Sequence, residues 1–392
     1  MQTISDIDIT GKRVLIRVDF NVPLDGKGLI SDDLRIRTVL PTIEYALEQR
    51  AKIILCSHMG RPKGERVGKY SLAPVAQYLS NILGQEVPLI ASCVGASTES
   101  RVAAMEDGDV VLLENLRYHT GEQANDPYFS KQLAYLADVY INDAFAVSHR
   151  AHASVVGVAE HVECKGAGFL LEKELAYFHR SVDEPARPLV ALVGGAKVSS
   201  KLGALANMLD KVDSLIIGGA MANTFLKSQG YDIGKSLVED DLLQEANSLL
   251  SEARKKGVKV YLPVDLVVAE KPSAAAKALK PVTVQDIPED CMALDIGPAS
   301  VICFQEALTS AQTIVWNGPM GMFEFEPYAQ GTKNIARYIG ASRALTIIGG
   351  GDSNAAVRKF GEADNISYML TGGGAFLCLM EGKELPGAVA LQ

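Results

Sequence analysis

The stretch RPLVALVGGAKVSSKLG (187–203) decides the fold: an apolar run, LVALV, ends in Gly-Gly and passes into a segment with lysines at 197 and 201. A short apolar run, closed by a glycine turn and followed by residues of helical period, reads as a βα unit, and repetition of that unit implies a mostly parallel sheet. The pattern recurs on both sides. Upstream lie KRVLIRVD (12–19), KIILCS (52–57), VPLI near residue 90, DVVLLEN (109–115) and DVYIND (138–143). Downstream lie DSLIIGG (213–219), KVYLPVD (259–265), AQTIVWNG (311–318) and ALTIIGGG (344–351). Helices fall between them, as where Leu34, Thr38, Ile43 and Leu47 make a stripe behind Asp32 and Asp33, with Pro41 interrupting it. Between the two groups, AGFLLEKELAYFHRSVDEPARP predicts a helix over about 168–181, and then breakers at Pro185 and Pro188. The expected fold is therefore α/β, with two lobes, a mainly parallel sheet in each, a boundary at 180/181 and a ligand cleft between them.

Composition agrees with this reading. The 392 residues suit two or three domains, and 48% hydrophobic with 22% charged residues excludes disorder and fibres. A net charge of -9 argues against a broad nucleic-acid surface, so any anion site must be built locally. Six cysteines without a C-x-x-C pair read as reduced, buried thiols. No secretory or membrane-spanning run is present, which predicts a soluble cytoplasmic protein.

Of the 35 glycines, 22 lie after residue 180, many at predicted strand ends. In open parallel sheets ligands bind beyond the carboxyl ends of strands, where glycine lets a phosphate approach backbone N–H groups. The second lobe is therefore expected to carry a nucleotide. Its motifs are GGAK, GGA, GGGDS and TGGGA rather than a Walker A loop, since GYDIGKS (230–236) has three residues between its glycines and follows no strand. No G-x-G-x-x-G follows a strand, and kinase H-R-D and D-F-G signatures are missing.

The first lobe places polar residues just past its strands: Asp19 and Asn21, His58 and Arg61, Arg117 and His119, then Asn142, Asp143, His149, Arg150 and His152. With Arg35, four arginines and two or three histidines can meet at one edge. The planar guanidinium clamps phosphate or carboxylate, so the set suits a small, highly anionic substrate. His58, His149 and His152 lack the carboxylate or cysteine spacing that would complete a zinc site. In the second lobe, Lys197 and Lys201 are four apart and are read as sharing a helical face, where they can neutralise a transferring phosphoryl group. Asn317 and Glu324 are polar candidates, Glu324 for ribose hydroxyls, while Trp316 suits a core. Asp352 is a candidate Mg²⁺ ligand, with Gly351 and Ser353 beside it for phosphate, and Thr371 to Gly374 can offer more N–H groups.

These residues lie in an ordered series: VDFNVP, SHMGRP, LLENLR, HRAHAS, GGAKVSSK, WNGPMG, GGGDS and TGGGA. Across essentially its whole length the chain resembles the phosphoglycerate kinases. The resemblance implies a monomer with two Rossmann-like lobes, a phosphoglycerate-binding lobe over 1–180 and a nucleotide-binding lobe over 181–374, with residues from about 375 to 392 packing back on the first. It implies reversible glycolytic phosphoryl transfer from 1,3-bisphosphoglycerate to ADP, giving 3-phosphoglycerate and ATP, with Mg²⁺. By motif, Asp19, Asn21, Arg35, His58, Arg61, Arg117 and Arg150 resemble the phosphoglycerate set. Lys197, Lys201, Asn317, Glu324, Gly350, Gly351, Asp352 and Ser353 resemble the nucleotide and magnesium set. The catalytic group maps to Arg35, Lys197, Gly351 and Gly374.

Some positions depart from the common family pattern. Ala146 and Val147 alter the loop before Arg150, Ser200 stands where aspartate is frequent, and Leu370 precedes Thr371 where serine is frequent. None removes a proposed catalytic charge. Two other readings stay open on the residues alone: a kinase acting on a different small acid, and a non-catalytic anion-binding protein.

Overall fold

The computed structural model describes residues 1–275 and 280–392. The chain divides into two compact units, Met1–Leu175 with Glu384–Gln392, and Ala176–Lys383.

In the first unit, six parallel strands, β1 (Arg13–Arg17), β2 (Lys52–Cys56), β3 (Leu89–Ile90), β4 (Val110–Leu113), β5 (Val139–Asn142) and β6 (Cys164–Ala167), pair in the order β3-β4-β2-β1-β5-β6. Val14, Ile16, Ile53, Leu55, Val110, Leu112, Val139 and Ile141 point to one face of this sheet at a spacing of two and join one apolar core with Ile36, Ile43 and Leu79 from the covering helices. The strands all point the same way, so the residues following β1, β2, β4 and β5 gather at one edge. Strand β6 was not expected from its sequence, CKGA, which has few strand-forming side chains; pairing with β5 creates it. The helical stripe after Asp33 is two helices, Leu34–Arg37 and Leu40–Glu48, with Pro41 in the first turn of the second, where its missing N–H is harmless.

The predicted helix over 168–181 runs Phe169–Phe178 and gives way to a π turn at His179–Asp183. Asp143, just past β5, supports its start by accepting from the Leu170 and Leu171 N–H groups at 2.8 and 3.0 Å. A Cβ at Gly168 would lie 2.2 Å from the Asp143 carboxyl carbon, so only glycine fits between strand and helix.

The second unit holds two sheets. Strands β7 (Leu189–Val193), β8 (Ser214–Ile217), β9 (Lys259–Tyr261), β13 (Thr313–Asn317), β14 (Leu345–Gly349) and β15 (Tyr368–Leu370) form a parallel sheet in the order β15-β14-β13-β7-β8-β9. The addition is an antiparallel sheet of β10 (Asp265–Ala269), β11 (Pro281–Thr283) and β12 (Met292–Ile296), with β10 central. The expected single strand over 259–265 is therefore corrected. Pro263 has no N–H for the ladder, β9 stops at Tyr261, and Asp265 opens β10 in the other sheet. Trp316 is fully buried in the core with Val190, Leu192, Ile216 and Ile348, and its indole N–H donates to the Gly318 carbonyl at 2.7 Å.

The boundaries fall at 175/176 and 383/384, against 180/181 and about 375 in the sequence reading. The second shift has a packing cause: helix Gly373–Met380 buries Phe376 against Gly349, and Asn207 donates to the Met380 carbonyl at 2.8 Å, so it stays with the second unit. Residues from Glu384 onward belong to the first unit, where the Gly387 N–H donates to Ser148 O at 2.8 Å and Leu385 and Leu391 are buried. The cysteine reading also needs correction. All six are free, but only Cys56 and Cys93 are buried, because the other four sit at element ends or on partly exposed helix faces. Among the described residues no helix is long and apolar enough to cross a membrane.

Burial of Leu385 and Leu391 stabilises the first unit by about 1.5–3 kcal/mol per side chain. The paired change Leu385→Ala and Leu391→Ala should therefore bring forward part of the calorimetric unfolding transition. Fluorescence of Trp316, the single tryptophan and a second-unit residue, should keep its wild-type midpoint.

Candidate active site

The first unit assembles its polar residues in the turns after β1, β2 and β4. Asp19 is nearly buried, and its Oδ2 accepts from Arg35 Nη1 at 2.7 Å, a cation that also reaches the Asn21 carbonyl at 3.2 Å. The Asn21 side chain ties this turn to the next by accepting the Gly60 N–H at 2.8 Å. Arg117 donates to the Gly60 carbonyl at 2.7 Å, and its Nε is buried without a partner. Asn115 orders both turns, taking the N–H groups of Met59 and Arg117 and donating to the carbonyls of Met59 and Tyr70. Arg150 is half-buried, with Nε 3.2 Å from His149 Nε2. Arg61, by contrast, is exposed.

The electrostatics converge on His58, which burial holds well below the usual histidine range, helped by Arg17, Arg117, Arg35 and Arg150. The ring is neutral at physiological pH. Burial also lowers Arg117 to about 10, with Arg150 and Arg17 adding repulsion, and lowers His152 to about 4. Cations that depress one another are short of negative charge, which a bound dianion would supply.

In the second unit, loops after β7, β8 and β13 meet backbone to backbone. Gly318 has φ +97°, and a Cβ there would lie 2.2 Å from Gly194 O. The turns after β14 and β15 are as close, since a Cβ at Gly373 would lie 2.8 Å from the Gly350 Cα. Two helices start here, Gly351–Lys359 and Gly373–Met380, neither with a side-chain cap. Their first N–H groups, those of Gly351 and Gly374 included, have no intrahelical acceptor, and the space where a Gly351 side chain would stand is open. Asn317 donates to Gly349 O at 2.8 Å, and the Ser353 hydroxyl takes the Gly318 N–H at 2.6 Å, so both side chains hold the loops in shape.

The shared helical face expected for Lys197 and Lys201 is not formed. Both precede the helix, which begins at Leu202, because the chain after Gly195 runs through a turn first. Lys197 is exposed, whereas Lys201 Nζ is drawn inward to Gly194 O at 2.6 Å and Asn317 O at 3.0 Å. Burial lowers Lys201 to about 8, and the Asp352 carboxylate opposes this. Ser200 donates to the Lys197 carbonyl at 2.9 Å, while Val147 and Leu370 are buried.

A cavity of about 410 Å³ within this unit is lined by Gly195, Leu237, Met292, Met320, Glu324 and Asp352, among others. Its mostly apolar lining, with Glu324 and Asp352 among its few polar groups, fits a flat heterocycle carrying an anionic tail. Among the described residues no cluster of three or more ligating side chains could cage a metal. One exposed carboxylate, Asp352, at a helix start beside the cavity does fit Mg²⁺, which keeps its waters and arrives with phosphates.

Sequence reasoning missed Arg17, a fully buried arginine inside the apolar strand VLIRVD, whose guanidinium reaches Ser154 Oγ at 2.9 Å and the Val18 carbonyl. The signal was an uncompensated cation in a buried run. It also missed Glu122, buried beneath His152 and Ser154.

A family profile described as phosphoglycerate kinase matches residues 4–383. The chain is 62% identical over 392 residues to a phosphoglycerate kinase of Desulfotalea psychrophila, with all of both chains covered. It is 55% identical over 385 residues to one from a Geobacter species, covering 98% of this chain and 96% of the relative. Among solved structures, phosphoglycerate kinase from Coxiella burnetii superposes with a TM-score of 0.91 at 44% identity, covering 100% of this chain and 98% of that one. The enzyme from Pyrococcus horikoshii gives 0.86 at 32%, with the same coverage.

The depressed Lys201 predicts a pH signature. Between about 8 and its ordinary 10.5 the unfolded chain holds a proton that the folded chain lacks, so unfolding free energy should gain from this group as pH rises through that window. Lys201→Met should flatten this rise in urea titrations. An unchanged slope would refute the lowered value.

Proposed function

The chain belongs to the phosphoglycerate kinase family, and we propose that its first unit holds the phosphoglycerate and its second the Mg-nucleotide. It is a glycolytic phosphotransferase that moves a phosphoryl group reversibly from 1,3-bisphosphoglycerate to ADP, giving 3-phosphoglycerate and ATP. The observation that carries the division of labour is the convergence of four arginines on one neutral, buried imidazole. A site so short of negative charge suits a ligand with a carboxyl or acyl phosphate at one end and a phosphate at the other.

On this reading Asp19 orients Arg35, Asn21 fixes the turn beside Gly60, and His58, Arg61, Arg117 and Arg150 meet the anionic ligand. Lys201, Asn317, Gly350 and Ser353 shape the phosphate end of the nucleotide site, and Glu324 meets the ribose. Asp352 would hold Mg²⁺, which supplies charge neutralisation between nucleotide phosphates. Arg35 and Lys197 stabilise the oxygens of the phosphoryl group in flight, and the N–H groups of Gly351 and Gly374 add fixed dipoles. Transfer is direct and in line; positioning and electrostatics carry it, and no protein nucleophile is needed. We read the protein as a cytoplasmic monomer with no nucleic-acid or membrane partner; its net charge of -9 supports the part of this reading that concerns nucleic acid.

A coupled assay supplied with ATP, Mg²⁺ and 3-phosphoglycerate should release ADP, and other small acids should be poor acceptors. Nucleotide binding without ADP release would overturn the reading in favour of a non-catalytic anion binder. Lys197→Ala should lower kcat by about 10²–10³-fold, as expected for a lost transition-state donor, with little change in nucleotide affinity. Unchanged turnover would remove Lys197 from the catalytic group.

A further inference from the structure

Glu122 is fully buried on the short helix Thr120–Ala124, where a carboxylate is costly unless it is hydrogen-bonded. Ser154 meets it twice, with its N–H on Oε2 at 2.9 Å and its hydroxyl on Oε1 at 2.7 Å. A hydroxyl that donates in one direction keeps its lone pairs for a donor, and Arg17 Nε supplies one at 2.9 Å. The far end of the same guanidinium, Nη2, lies 3.3 Å from His58 Nδ1. A guanidinium cannot accept, so at this contact Nδ1 is the acceptor and the ring proton sits on Nε2. The rival arrangement aims an Nδ1 proton at Asp19 Oδ1, a longer approach of 3.6 Å, while Arg35 occupies the other Asp19 oxygen.

We propose that Glu122, Ser154 and Arg17 form a positioning relay that holds His58 as the neutral Nε2–H tautomer, so that the ring offers a hydrogen-bond donor to phosphoglycerate. The relay rests on the placement of His58 in the phosphoglycerate site given above. The charged groups around the ring are Arg17, Asp19, Arg35, Arg117 and Arg150, four cations against one carboxylate, which agrees with a neutral imidazole. Glu122 supplies a second carboxylate from below. His152 Nδ1 is 3.8 Å from it, but burial lowers that ring to about 4, so the permanent cation that Glu122 serves is Arg17, through Ser154. The relay explains why an arginine is buried in β1: it links the Glu122 carboxylate, through Ser154, to the Nδ1 side of the His58 ring.

The tautomer can be read in the ligand-free enzyme by multiple-bond ¹H–¹⁵N correlation of ¹⁵N-histidine-labelled protein, with His58 assigned by loss of its signal in His58→Gln. The expected spectrum has a bare Nδ1 and a protonated Nε2 at neutral pH. Ser154→Ala should move the His58 signals toward a mixture of tautomers and raise KM for 3-phosphoglycerate about tenfold, the scale of one charge-assisted hydrogen bond, with KM for ATP unchanged. Ser154→Thr, which keeps the hydroxyl, should restore both. A protonated Nδ1 in the wild type overturns the proposal without any variant, and so does a Ser154→Ala spectrum identical to wild type. Shifted tautomers with an unchanged KM for 3-phosphoglycerate would overturn the part played by His58 in holding that ligand, separately from the relay.

Discussion

Four guanidinium groups around one uncharged imidazole repel one another, and much of the first unit is arranged to keep them together. Their charge is offset by very few acids: Asp19 pairs with Arg35, and Glu122 reaches Arg17 through the Ser154 hydroxyl. The remaining restraint comes from carbonyl oxygens, those of Val18, Asn21 and Gly60, which accept from Arg17, Arg35 and Arg117 without cancelling a whole charge. The site is thus ordered but undercompensated, and that residual potential is what an incoming dianion would meet. The order depends in turn on the parallel sheet, because only strands that all end at one edge bring the turns after β1, β2 and β4 together.

The second unit solves the opposite problem, since the nucleotide we propose for it needs donors without crowding. Backbone fills that role: glycines at 194, 219, 318 and 373 let loops from neighbouring strands touch directly, and helix starts leave N–H groups unclaimed. Lys201 lies inside this framework with two carbonyl acceptors and is better described as a support for the loops than as a mobile charge. Lys197, in the same turn, is exposed.

Much of this was legible in the residue order. Asp19, His58 and Arg117 stood out because each follows an apolar run, and a polar residue at a strand end has few purposes other than a turn or a site. Arg17 was hidden for the converse reason: it lies within such a run, and its burial makes sense only once Ser154 and Glu122, more than 100 positions away, stand beside it. The lysine pair was misjudged because a spacing of four implies a shared face only inside a helix, and helix Leu202–Met208 starts too late. The antiparallel sheet of β10 to β12 was missed since its short strands have mixed burial and no repeating βα rhythm.

By itself the sequence determined the α/β class, the two-lobed division and the list of charged residues available for phosphate chemistry, since periodicity, breakers and motif order are local properties of the chain. Tertiary structure alone decided which of those residues are buried, which nitrogen of His58 faces Arg17, and why Lys201 turns inward while Lys197 does not. Those outcomes depend on desolvation and on contacts between segments far apart in the chain, and neither is written in the spacing of neighbouring residues.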